Sequence, residues 1–133
     1  MRFILVALAL SIYGCNAELP CNQQLSGSDF RYWRIKLPMD SSRTARTLYY
    51  FDVDGKWLPF TLRSNGSMES ALPDDVVYLK KWSLKNDSVL VSSDLYGIMC
   101  RSDTLVLTST TGESRELIPV GLEQIPAGYR RRQ

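Results

Sequence analysis

The chain has 133 residues, of which 44% are hydrophobic and 23% charged, and its formal net charge is +2. These values are typical of one globular domain with a sizeable core, and the small net charge argues against a nucleic-acid partner. Histidine is absent and there are three cysteines, which excludes Ser-His-Asp and Cys-His catalysis, imidazole metal ligands and a four-thiolate zinc site. We therefore predict no metal, no cofactor and no enzymatic activity.

Residues 1–14 are predicted to be a signal peptide. Their apolar run, Phe3–Tyr13, is shorter than the roughly 20 residues needed to cross a bilayer. The sequence IYGC that ends at Cys15 resembles a bacterial lipobox, although Tyr13 departs from the usual small or β-branched residue. We expect Cys15 to be acylated, for example with palmitate, and to anchor the domain to a membrane. The alternative is ordinary cleavage after Ala17, followed by secretion.

Acylation of Cys15 would leave two cysteines, Cys21 and Cys100. Because exported proteins enter an oxidising compartment, in which cysteine pairs form disulfides, the sequence predicts a disulfide between these two residues. The alternative is two separate thiols. Residues 15–29 contain proline, glycine, serine and glutamine, and we expect them to form the lipid anchor and a tether.

Residues 30–120 alternate apolar and polar side chains between turn sequences such as Asp54-Gly55, which is typical of antiparallel β-structure. Consecutive hairpins favour a single up-and-down antiparallel β-barrel of about eight strands. Residues 121–133 are predicted to be an irregular tail. The predicted strands lie in YWRIKLP, TLYYFDV, KWLPFTLR, VVYLKKWSLKND, SVLVSS, LYGIMC, DTLVLTST and SRELIPV.

The segments YYFDVDGKW, WSLKNDSVLV and YGIMCRSDTLVLTS resemble the lipocalin-like domain of small cell-envelope lipoproteins of Gram-negative bacteria. The matching positions are core aromatic residues and turn residues, over about residues 25 to 120. The resemblance implies a lipocalin-like barrel that is lipid-anchored in the envelope, in the outer membrane. It implies no catalytic residues, because most members of the family have no assigned activity.

Five aromatic residues are the candidates for a ligand site or for the core. A barrel of this size either fills its interior with such side chains or leaves room for one small ligand, and we expect the interior to be filled. Tyr50 and Trp57 alternate with the apolar rows, and we expect both to be exposed near one hairpin. The five candidates are Trp33, Phe51, Phe60, Trp82 and Tyr96.

These observations predict a protein that binds a small apolar ligand or an envelope protein. The alternative is a periplasmic inhibitor or immunity-type protein that blocks an enzyme through the loops Asn65–Pro73 and Ser109–Arg115. An enzyme that uses carboxylates alone would need a pair such as Asp52 and Asp54.

Overall fold

The computed structural model of the chain describes residues 20–36, 45–73, 75–76, 80–101 and 103–133. Within these ranges the chain forms nine β-strands and three short 3-10 helices, and no α-helix. The 3-10 helices are Cys21–Gln23, Leu122–Gln124 and Ala127–Tyr129. The strands are β1 (Phe30–Ile35), β2 (Ala45–Asp52), β3 (Trp57–Arg63), β4 (Met68–Ser70), β5 (Trp82–Lys85), β6 (Ser88–Val91), β7 (Asp94–Arg101), β8 (Thr104–Ser109) and β9 (Ser114–Val120).

All nine strands belong to one antiparallel sheet, in the order β4-β3-β2-β1-β9-β8-β7-β6-β5. Consecutive strands are neighbours throughout, except that β4 and β5 do not pair with each other. The first and last strands, β1 and β9, are also neighbours. The prediction of an all-β antiparallel fold is therefore confirmed, but the sheet is not closed into a barrel.

The sheet is open between β4 and β5 because both lie along the same edge of β3. β4 pairs with the second half of β3, from Phe60 to Leu62. Near the start of β3, Lys56 forms an isolated antiparallel bridge with Lys81, which directly precedes β5. The eight predicted strands correspond to β1–β3 and β5–β9, and β4 is an additional short strand.

The Lys56–Lys81 bridge requires the sheet to curl. In a flat sheet β3 and β5 would lie about 34 Å apart, seven strand spacings of about 4.8 Å, yet the bridge brings them together. The curl gives an inner face, which carries Trp33, and an outer face, which carries Tyr32. Residues from six strands and from the segment before β1 form one cluster on the inner face: Leu25, Trp33, Phe51, Trp82, Val89, Val91, Leu105 and Leu117.

The segment before β1 packs against the inner face. Leu25 is fully buried, and its carbonyl oxygen accepts a 2.7 Å hydrogen bond from Nε1 of Trp33. Cys21 forms a disulfide with Cys100 of β7, the pair that the sequence predicts, with the two Cα atoms 5.6 Å apart. From Cys21 onward, the residues assigned to the tether 15–29 therefore belong to the packed domain.

The outer face of β1–β4 carries a second cluster, which residues 121–133 cover. Ile125 inserts into this cluster and is 1% exposed. The hydroxyl of Tyr129 donates a 2.8 Å hydrogen bond to the carbonyl of Met68, and the carbonyl of Tyr129 accepts one of 2.8 Å from Tyr32. The C-terminal segment is thus part of the packed domain and not an irregular tail. The cluster contains Tyr32, Leu48, Tyr50, Leu58, Phe60, Met68 and Ile125.

We expect Ile125→Ala to lower the free energy of unfolding by about 2 to 4 kcal/mol, because it leaves a cavity beneath the C-terminal segment. Leu122→Ala is the matched control, since Leu122 lies on the same segment but is 45% exposed. It should cost less than about 1 kcal/mol. Urea unfolding followed by tryptophan fluorescence measures both, and equal costs would show that the segment does not stabilise the outer cluster.

Candidate functional site

A cavity of about 320 Å³ opens on the inner face of the sheet. Most of its wall is aromatic or aliphatic, and its polar side chains are a threonine, two tyrosines and one arginine. These side chains come from six strands, β2, β3 and β6–β9, so the cavity depends on the curl of the sheet. The lining residues are Thr47, Tyr49, Phe51, Trp57, Pro59, Val91, Tyr96, Leu107, Arg115 and Leu117.

Of the five aromatic residues singled out in the sequence, Phe51 and Tyr96 line this cavity. Trp33 and Trp82 belong to the inner cluster but are not among the residues that line the cavity. The Nε1 of Trp82 donates a 2.9 Å hydrogen bond to the carbonyl oxygen of Asp52. The interior is therefore filled in one part and hollow in another.

Phe60 lies on the other side of the sheet. It is 3% exposed and belongs to the outer cluster, under the C-terminal segment. Its alternation with Pro59 and Thr61 along β3 separates it from the cavity, because successive side chains of a strand point to opposite faces. Phe60 is a core residue and does not reach the candidate site.

Tyr49 and Trp57 line the cavity, although neither was among the five candidates. Their rings are nearly parallel, with an interplanar angle of 14° and centroids 6.5 Å apart. The expectation that Tyr50 and Trp57 are exposed is wrong: Tyr50 is fully buried in the outer cluster and Trp57 is partly buried against the inner one. β2 pairs with β3 so that Tyr49 lies opposite Pro59. Trp57, two residues before Pro59, therefore lies on the same face of the sheet as Tyr49.

The indole nitrogen of Trp57 is the one side-chain polar atom, among the residues that the structure describes, that is buried without a hydrogen-bond partner. An unsatisfied buried donor of this kind costs about 1 to 3 kcal/mol. The nitrogen has less than 1 Å² of accessible surface. A molecule in the cavity would therefore touch the ring of Trp57 and not its N–H group.

Arg115 gives the mouth of the cavity a positive charge. Its side chain is exposed, and none of the ion pairs among the described residues involves it. Burial raises the pKa of the nearby Tyr96 phenol; Asp94 raises it further and Arg115 lowers it. The phenol is thus neutral at pH 7, and among the described lining residues Arg115 carries the only charge.

A second depression, of about 910 Å³, lies where the sheet is open between β4 and β5. Leu58 and Phe60 contribute to its wall, and three lysines surround it: Lys56, Lys80 and Lys81. Lysine is a common residue at exposed sheet edges, where it discourages pairing with other chains. This groove therefore needs no ligand to explain its composition.

Asp52 and Asp54, the carboxylate pair considered for catalysis, both have structural partners. Asp52 is 1% exposed; its Oδ1 accepts hydrogen bonds from the backbone N–H groups of Asp54 (3.0 Å) and Lys56 (2.9 Å), and its Oδ2 accepts one of 3.0 Å from the Tyr50 hydroxyl. The Oδ2 of Asp54 accepts a 2.6 Å hydrogen bond from Arg132. The carboxylate of Asp52 thus stabilises the β2–β3 turn, and that of Asp54 binds the C-terminal segment.

The loops of the inhibitor hypothesis lie apart from the cavity, except for Arg115. Asn65–Pro73 contains β4, and Asn65 Oδ1 accepts a 2.9 Å hydrogen bond from the backbone N–H of Ser67. In Ser109–Arg115 the backbone N–H of Gly112 donates to the carbonyl of Ser109 at 3.0 Å. Each segment contains a hydrogen-bonded turn next to a strand, and the inhibitor hypothesis stays a prediction.

Over the described ranges, no group of three or more Cys, Asp or Glu residues could hold a metal ion. In the same part of the chain, no helix is long and apolar enough to cross a bilayer. Residues 1–14 and Cys15 lie outside the described residues.

Comparison with known proteins adds no relative: no family model, no curated protein and no solved structure matches the chain. The cavity and its lining residues are therefore the basis for the functional argument.

We expect the domain to unfold at alkaline pH because of Tyr32 and Tyr50. Burial is the main cause that raises the pKa of both phenols above the ordinary value of about 10. Above about pH 10 the unfolded chain releases these protons while the folded chain retains them. The contribution of these two phenols to the free energy of unfolding should therefore be constant below about pH 10 and then fall by about 1.4 kcal/mol per pH unit for each retained proton.

Absorbance of tyrosinate at 295 nm, recorded with circular dichroism, tests this prediction. Two phenols should ionise only when the structure is lost. In the variant Tyr32→Phe, only one phenol should ionise in this way. Complete ionisation of the tyrosines near pH 10, with the circular dichroism spectrum unchanged, would contradict the prediction.

Proposed function

We propose that the protein is a membrane-anchored, lipocalin-like lipoprotein of the cell envelope that binds a small, largely apolar ligand. The observation that carries this proposal is the cavity of about 320 Å³ on the inner face, walled by Tyr49, Phe51, Trp57 and Tyr96. Its size is at the lower end of the range of small-molecule sites, which are mainly apolar with a few polar groups. Binding in it would remove apolar surface of the ligand from water.

The topology supports the lipocalin-like part of the proposal. Without β4, the other eight strands follow one another round the sheet, each antiparallel to its neighbours. The eighth contact, between β3 and the start of β5, is the single bridge from Lys56 to Lys81. We regard the sheet as a nearly complete eight-stranded barrel, which is the size that can hold one small ligand.

The cysteines support export. A disulfide such as Cys21–Cys100 persists in oxidising compartments and is rare in the cytosol of mesophiles. It closes a loop with a sequence separation of 79, and on the chain-entropy model such a cross-link stabilises the fold by about 4 to 5 kcal/mol. The IYGC sequence then assigns the remaining cysteine, Cys15, to a lipid anchor in the envelope.

The anchor is tested by the intact mass of the full chain expressed in a Gram-negative host and purified from its envelope. We expect the mass of residues 15–133 plus a lipid on Cys15, and loss of that lipid in Cys15→Ala. Cys21→Ala is the control, because it removes a different cysteine and should keep the lipid. A lipid-free chain that begins at Glu18 in the unaltered protein would instead indicate cleavage after Ala17 and secretion.

Ligand binding is tested with a neutral fluorescent probe of two fused rings, 1-aminonaphthalene. We expect saturable binding, weakened at least tenfold by Leu107→Phe, because Leu107 lines the cavity and the larger ring would fill it. Leu95→Phe is the matched control, since Leu95 lies on the neighbouring strand β7 and is 39% exposed. It should bind the probe like the unaltered protein.

A thermal unfolding curve for each variant separates a filled cavity from a damaged fold. Binding that is unchanged in a folded Leu107→Phe variant, or no saturable binding at all, would overturn the assignment of the cavity as the ligand site.

A further inference from the structure

We propose that the ligand is an aromatic carboxylic acid of one or two rings, with its ring against Tyr49 and Trp57 and its carboxylate toward Arg115. This inference rests on the proposed function, since it assumes that the cavity holds a small molecule. It adds the charge and the shape of that molecule. Three properties of the cavity carry it: the sign of its one charge, the arrangement of two rings, and its size.

The charge at the mouth selects an anion. A cavity walled by aromatic rings could hold a quaternary ammonium group by cation–π contacts, but Arg115 would repel a cation. No carboxylate is among the described residues that line the cavity; Asp94, which acts on Tyr96, lies outside that lining. A ligand carboxylate would give the guanidinium of Arg115 the acidic partner that it lacks among the described residues, in an ion pair that allows two parallel hydrogen bonds.

The arrangement of the rings of Tyr49 and Trp57 favours a planar ligand. Tyr49 and Trp57 both line the cavity and differ by only 14° in ring plane, so a flat ring that lies parallel to one of them is also nearly parallel to the other. Aromatic rings prefer offset-stacked or edge-to-face contact with other rings, and such contacts add to the free energy gained from burial alone. A planar ring therefore matches this wall better than a saturated ring or a flexible acyl chain.

The size of the cavity limits the ligand to a compact molecule. A volume of about 320 Å³ is near the lower end of the range for small-molecule sites, about 300 to 1,000 Å³. The segment before β1 and the side chains of Trp33 and Trp82 occupy other parts of the inner face. A long acyl chain would need that occupied space, whereas one or two fused rings would not.

Calorimetric titration of the disulfide-bonded protein with matched ligands tests the proposal. The probes are 2-naphthoate, the uncharged 2-naphthamide of the same shape, and decahydro-2-naphthoate, which has the charge without the flat ring. The one-ring pair benzoate and benzamide covers a smaller ligand. We expect at least one aromatic carboxylate to bind about tenfold more tightly than its amide, and 2-naphthoate to bind more tightly than its decahydro form.

The variant Arg115→Gln isolates the contribution of the charge. It should weaken binding of the aromatic carboxylate about tenfold and leave binding of the amide unchanged. Arg101→Gln is the control, because Arg101 is exposed at the end of β7 and does not line the cavity. It should bind both ligands like the unaltered protein.

The outcomes separate this inference from the proposed function. Equal affinity for carboxylate and amide, or for the flat and saturated acids, would overturn the inference while the binding of 1-aminonaphthalene upholds the function. Binding of that neutral probe with none of the five acids and amides would do the same. Failure of all six compounds to bind would overturn both.

Discussion

The pairing of β1 with β9 is the contact on which the rest of the structure depends. It joins residues far apart in the chain, such as Trp33 and Pro119, and so carries the loop-closure cost of a non-local contact. β1 also pairs with β2, so it is an interior strand of the sheet. Its two faces supply Trp33 to the inner cluster and Tyr32 to the outer one. The curl of the sheet, the cavity and both clusters therefore depend on the position of β1 between β2 and β9.

The two halves of the sheet differ in how they are covered. In β1–β4 both faces are buried, because the C-terminal segment packs over the outer face. On the outer face of β7, by contrast, Leu95 and Met99 are 39% and 47% exposed. The buried half holds two tyrosines with raised pKa, Tyr32 and Tyr50, and the carboxylate of Asp52, which is hydrogen-bonded on both oxygens. Local polar networks thus replace solvent where the C-terminal segment excludes it.

Local patterns predicted much of this fold. A period of two identified eight of the nine strands, and the Asp54-Gly55 turn followed from the freedom of Gly55 to adopt its φ of 86°. The burial of Tyr50, the face of Phe60 and the packing of the C-terminal segment could not be predicted this way. They depend on contacts between distant parts of the chain, and the alternation of apolar and polar residues along a strand does not predict such contacts. For the same reason the sequence indicated aromatic residues at the site but missed Tyr49 and Trp57.

The disulfide also fixes the geometry of attachment to a membrane. If Cys15 carries the lipid, only five residues separate it from Cys21, and the six steps of chain between the two cysteines reach at most about 22 Å. Cys21 is bonded to Cys100 near the end of β7, so that end of the sheet would be held close to the lipid surface. The domain would then be unable to move far from the membrane surface. Its ligand would have to be found at, or delivered to, the face of the bilayer.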